Sequence, residues 1–81
     1  MITVTSAVNK RMREILDNKD MSAYRLGKDN AIPRGTIKAI TGEANRNINL
    51  KTVLQLVRAL GIKTSEFFDD PIFDSHELDI D

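Results

Sequence analysis

The sequence predicts an all-α fold, a compact five-helix bundle, and three observations carry that expectation. Apolar residues recur at three- and four-residue intervals in successive segments, side chains able to cap a helix stand where several of those segments begin, and the breaks between segments are short. There is no period-two strand pattern and no internal repeat; the weak alternation of residues 1–5 is left unassigned. With 81 residues the chain has material for one domain, and every apolar helix face is needed to build its core.

In residues 6–18, Val8, Met12, Ile15 and Leu16 fall at i, i+4, i+7 and i+8, one face of a first helix. Asn18, Lys19 and Asp20 interrupt it. Ser22 then offers its hydroxyl to the unpaired amides of a second helix over residues 23–29, with Met21 and Leu26 as a hydrophobic staple across the cap. After a connection at residues 30–32, Pro33 opens a third helix over residues 33–41. Its ring sets a helical φ and holds Ile32 extended. That helix carries Ile37 and Ile40 inward and stops near Gly42, and residues 43–47 read as a surface loop. Asn49 caps a fourth helix, with Ile48 and Val53 as a second staple. Its expected buried stripe is Leu50, Val53, Leu54, Val57 and Leu60, and Gly61 is its stop. Thr64 is expected to cap a short fifth helix over residues 65–69, with Phe67 and Phe68 closing the bottom of the core and Pro71 ending it.

Composition narrows the function classes. The absence of cysteine rules out disulfides, and one histidine, His76, offers no cluster for zinc, so no cofactor is expected. No apolar run approaches the roughly 20 residues needed to cross a bilayer, and the opening residues lack the order of a secretion signal; a cytoplasmic protein away from membranes is expected. No nucleophile–base pair or glycine-rich phosphate loop is present, which argues against an enzyme. The formal net charge of zero hides an asymmetry. All 12 Lys and Arg lie between Lys10 and Lys63, whereas the stretch from Met1 to Phe68 holds six acids, a surplus of six positive charges. The stretch from Asp69 to Asp81 holds the other six acids and no base. The expected division is a basic domain over residues 1–69, able to approach phosphate, and an acidic C-terminal tail over residues 70–81. That tail also carries Ile72, Phe73, Leu78 and Ile80, which could dock on the body, pair with a second subunit or bind another protein. Arg11, Arg13, Arg58 and Lys63 read as ordinary solvated charges.

The most informative stretch is residues 21–42. Two short helices joined by so tight a turn cannot lie antiparallel and must cross steeply, which calls for a very small residue at the crossing, Gly27. Leu26, Ile32 and Ile37 form the hydrophobic triangle expected to lock the angle.

MSAYRLGKDNAIPRGTIKAITG resembles the helix-turn-helix of the Cro/C1-type (XRE family) transcriptional regulators, and LKTVLQLVRALGIKTSEFF looks like that family's fourth and fifth helices. The likeness covers roughly residues 7–68 and implies a lambda-repressor-like DNA-binding domain. It further implies a sequence-specific regulator of transcription, of the repressor kind, binding double-stranded DNA as a homodimer. The alternative is an antitoxin or adaptor that uses the same fold and grips a partner protein through the tail. On the resemblance, the third helix is the recognition helix, and Arg34, Gly35, Thr36 and Lys38 face the bases. An arginine can donate two hydrogen bonds to guanine, and a threonine offers a hydroxyl and a methyl. Ser22, Ala23, Tyr24 and Arg25 at the start of the second helix, and Asn45, Arg46 and Asn47 after the third, would meet phosphates. The chain departs from the family at two positions. Ala23 stands where a glutamine is frequent, so that side-chain phosphate contact is missing. Ala31 stands where glycine usually makes a left-handed turn, at a cost of about 1 kcal/mol unless Asn30 adopts that conformation.

Overall fold

The computed structural model describes residues 2–42 and 48–79. Five α-helices are found there: α1 (Val4–Asn18), α2 (Ala23–Asp29), α3 (Arg34–Thr41), α4 (Leu50–Leu60) and α5 (Thr64–Phe67). Before them lies a two-residue strand, β1 (Ile2–Thr3). After them come a 3-10 turn at Pro71–Asp74 and a second short strand, β2 (Leu78–Asp79). No helix among the described residues is long and apolar enough to cross a membrane.

The caps explain where the helices begin. Ser22 Oγ accepts from the Arg25 amide at 3.0 Å, and Asn49 Oδ1 accepts from the Thr52 amide at 2.8 Å, both as expected. Helix α1 starts at Val4, earlier than residue 6, because Thr3 Oγ1 accepts from the Ser6 amide at 3.0 Å and so supplies the cap. Thr64 does not cap α5; it is the helix's first residue, preceded by Lys63, which makes no side-chain cap bond. Gly42 (φ 87°) and Gly61 (φ 74°) end α3 and α4 in the left-handed region, where a side chain would be strained.

The core brings together Met12, Leu16, Leu26, Ile40, Leu56, Val57 and Phe67, all buried. On α4 the buried stripe is Val53, Leu56, Val57 and Leu60, at i, i+3, i+4 and i+7. Leu50 and Leu54 were expected in that stripe, yet they are 62% and 39% exposed. Leu54 sits about 100° around the helix from Val53, and Leu50 lies at the helix's first turn, beyond the core's reach.

The acidic C-terminal segment packs on the body. Phe73 joins Phe67 and Phe68 in an aromatic cluster, with ring centroids 6.1 and 5.0 Å away. Asp70 Oδ1 accepts from the Ile72 amide at 2.9 Å, shaping the 3-10 turn. Strand β2 pairs in parallel with β1, Ile2 opposite Leu78 and Thr3 opposite Asp79, and the Ile2 amide donates to the Glu77 carbonyl at 3.1 Å. Arg11 ties this region to α1. Its Nε donates to the Phe67 carbonyl and its Nη2 to the Glu66 carbonyl, each at 2.7 Å, and Nη1 lies 3.7 Å from Asp70 Oδ2. Arg11 is therefore a partly buried structural residue and no solvated charge, because the carbonyls at the end of α5 lie within its reach, that of Glu66 also accepting from the Asp69 amide at 3.3 Å.

Candidate nucleic-acid interface

Helices α2 and α3 meet where the sequence places Gly27. A Cβ on this buried residue would lie 2.9 Å from Ile37 Cγ1 and 3.4 Å from the Ile32 carbonyl oxygen, so the Ile37 side chain of α3 packs directly on the main chain of α2. Leu26, Ile32 and Ile37 are all buried around this crossing, which is the triangle expected from the sequence. The Ile32 amide donates to the Gly27 carbonyl at 2.9 Å and closes the turn.

Within that turn the left-handed residue is Ala31, at φ 52°, while Asn30 stays at φ −116°. Asn30 is instead engaged through its side chain, Nδ2 donating to the Leu26 carbonyl at 3.0 Å. The chain thus accepts the strained alanine, because moving the left-handed residue one place earlier would break this helix-end contact.

The predicted base-facing residues fall on α3 with a gradient of exposure. Pro33 is the residue before the helix, with ψ 144°, so the first helical residue is Arg34. Arg34 and Gly35 are exposed, and Thr36 and Lys38 are half-buried. Arg34 and Lys38 are four residues apart and share one edge of the helix. On α2, Tyr24 is 74% exposed. Arg25 is also exposed and lies 3.4 Å from Asp29, a surface pair of small energetic consequence. Ser22 is exposed with its hydroxyl taken up by the cap, and Ala23 packs partly against the core. Asn45, Arg46 and Asn47 lie outside the described residues.

Three-dimensional proximity adds a residue that sequence reasoning missed. Tyr24, Lys28 and Arg34 border one open cleft of about 270 Å³ between α2 and α3, floored by Gly27, Ile32 and Ile37. Lys28 is exposed and stands one turn after Tyr24 on α2. That four-residue spacing was a readable signal; its convergence on Arg34 was not.

At its other end α3 is held from α1. Asn9 Nδ2 donates to the Ala39 and Ile40 carbonyls at 2.9 and 2.7 Å, and Arg13 Nη1 donates to the Thr41 carbonyl at 2.7 Å. Arg13, like Arg11, was expected to be a solvated charge; its side chain instead reaches the Thr41 carbonyl at the end of α3, where no further turn of that helix supplies a donor. The result is a helix anchored at its C-terminal end and in its middle, with Arg34 and Gly35 exposed at its N-terminal end.

No curated protein and no solved structure gave a match. The sequence pattern of the Cro/C1-type HTH DNA-binding domain, in contrast, matches residues 11–71, which takes in α2, α3 and α4 whole and most of α1. A match over that share of the chain, together with a helix-turn-helix built around Gly27 and an exposed α3 N-terminus, places this protein in the Cro/C1-type family of helix-turn-helix DNA-binding domains.

Proposed function

We propose that the protein is a sequence-specific transcriptional regulator, a repressor, that inserts α3 into the major groove of double-stranded DNA and works as a homodimer in the cytoplasm. The observation that carries this reading is the exposure of Arg34 and Gly35 at the start of α3, a helix whose far end is pinned from α1. Arg34 would donate to guanine, Thr36 and Lys38 would read or neighbour adjoining bases, and Gly35 would let the backbone approach closely. Ser22, Ala23, Tyr24 and Arg25 would meet phosphates on one flank, with Lys28 added from the cleft, and Asn45, Arg46 and Asn47 on the other. The positive surplus of the stretch from Met1 to Phe68 supports such an approach and implies binding that weakens steeply as salt rises. A two-fold dimer would read half-sites about one helical turn apart.

The rival reading, an antitoxin or adaptor that grips a protein through residues 70–81, draws less support, because Phe73 and β2 are engaged within the chain itself. Selection of bound duplexes from a random DNA pool tests the proposal, with an enriched, roughly palindromic site as the expected result. On that site Arg34→Ala should lose about 1–3 kcal/mol and blur preference at one base pair. An equal loss on random duplex would reduce Arg34 to a phosphate contact, and failure to enrich any site would defeat the proposal.

A further inference from the structure

A helix's last carbonyls lack partners within the helix and usually face water or a cap. At the end of α3 those of Ile40 and Thr41, and that of Ala39 which also accepts from the Gly42 amide at 3.4 Å, are taken by two side chains of one other helix. Asn9 is only 7% exposed, and asparagine is seldom buried so deeply unless its amide is fully used. Both donors crowd Gly42. A Cβ there would lie 3.0 Å from Arg13 Nη1 and 3.2 Å from Asn9 Oδ1, so the left-handed glycine serves the clamp as well as the turn. The positive charge of Arg13 also stands at the negative end of the helix dipole.

We propose that Asn9 and Arg13 are positioning residues for DNA recognition, fixing from α1 the angle at which α3 presents Arg34 and Lys38. The proposal rests on the reading of α3 as the recognition helix. The close packing of Ile37 on Gly27 holds α3 near its middle, and the hydrogen bonds from Asn9 and Arg13 add a second, directional constraint at its C-terminal end. The lever arm makes the effect large. From Thr41 to Arg34 the helix spans about 10 Å, so a tilt of about 10° moves the Arg34 end by about 2 Å. Such a shift is enough to break hydrogen bonds to a base edge.

The test uses the full chain, a DNA site selected from a random pool, and the variants Arg13→Ala, Arg13→Lys, Asn9→Ala and Arg34→Ala. Affinity is measured on selected and random duplexes across a salt series, together with amide hydrogen exchange along α3. Arg13→Ala and Asn9→Ala are expected to lose about tenfold on the selected site and little on random duplex. Their salt slope should stay unchanged and exchange in α3 should quicken, with Arg13→Lys recovering part of the loss by reaching a single carbonyl. Should Asn9→Ala fail to fold, the two Arg13 variants decide the matter, since that residue is exposed. Equal losses on both duplexes, with the salt slope of Arg13→Ala reduced by about one, would make Arg13 a phosphate contact and overturn the proposal. Unchanged affinity in these variants while Arg34→Ala weakens binding would also overturn it, leaving the recognition helix intact. If Arg34→Ala too is without effect, the recognition-helix reading falls and the positioning role with it.

Discussion

Replacing Ala31 by glycine is expected to stabilise the protein, although it removes a side chain and inserts the most flexible residue. Ala31 sits at φ 52°, where a residue with a Cβ is strained by roughly 1–2 kcal/mol relative to glycine. Against this relief, glycine loosens the unfolded chain and lowers stability by about 0.4–1 kcal/mol. The Ala31 methyl is exposed, so its loss opens no cavity. The difference of the two terms is a gain of roughly 0.8 kcal/mol, or about 3–6 °C in Tm for a domain of this size. Thermal melts followed by circular dichroism would measure it, at one protein concentration so that any self-association is held constant. Asp20 provides an internal control, because it too lies at φ 52°. Aspartate tolerates that region better than alanine, so Asp20→Gly should gain less. A neutral or destabilising Ala31→Gly, or an equal gain at both positions, would refute the claim that the turn stores strain at Ala31.

Other expectations concern packing and anchoring. Gly27→Val should destabilise by more than about 2 kcal/mol, measured by urea unfolding, because its branched side chain enters space already occupied by Ile37; a stable variant would mean that α2 and α3 can part without penalty. Arg11→Ala should cost about 2 kcal/mol by removing the donor to the Phe67 and Glu66 carbonyls, whereas Asp70→Asn, which keeps a cap acceptor and loses only a 3.7 Å pair, should cost distinctly less in the same assay. Leu54→Ser should change stability by no more than about 0.5 kcal/mol, while Leu56→Ala should cost about 2–5 kcal/mol; comparable effects would contradict the assignment of the buried face of α4.

Much of the fold was legible because its determinants are local. Ser22 and Asn49 act on amides three residues away, Gly61 ends its own helix, and Gly27 announces a close crossing by its size alone. Errors arose where two local readings competed. Leu50 and Leu54 fit an apolar stripe as well as Leu56 does on spacing alone, and the position of the core decides among them. Thr64 was read as a cap on its residue type alone, yet it is the first residue of α5, and the start of α1 was missed because Thr3, which caps it, lies in the stretch left unassigned. For the candidate interface, Arg34 was named through the resemblance of residues 21–42 to a known helix-turn-helix, whereas Lys28, to which that resemblance did not point, reaches the cleft through the crossing of α2 over α3.

The sequence by itself determined the helical class and the starts of α2 and α4, because each depends on interactions within about one turn of the chain, and the helix-turn-helix was readable from Gly27, the Leu26–Ile32–Ile37 triangle and the family resemblance. Only the tertiary structure decided the roles of Asn9, Arg11 and Arg13 and the docking of residues 70–79. Those roles join positions remote from one another along the chain, Arg13 with Thr41 and Ile2 with Leu78 among them, and a donor's partner at such a separation is set by how the helices pack. A charged or amide side chain carries no periodicity from which that packing can be read.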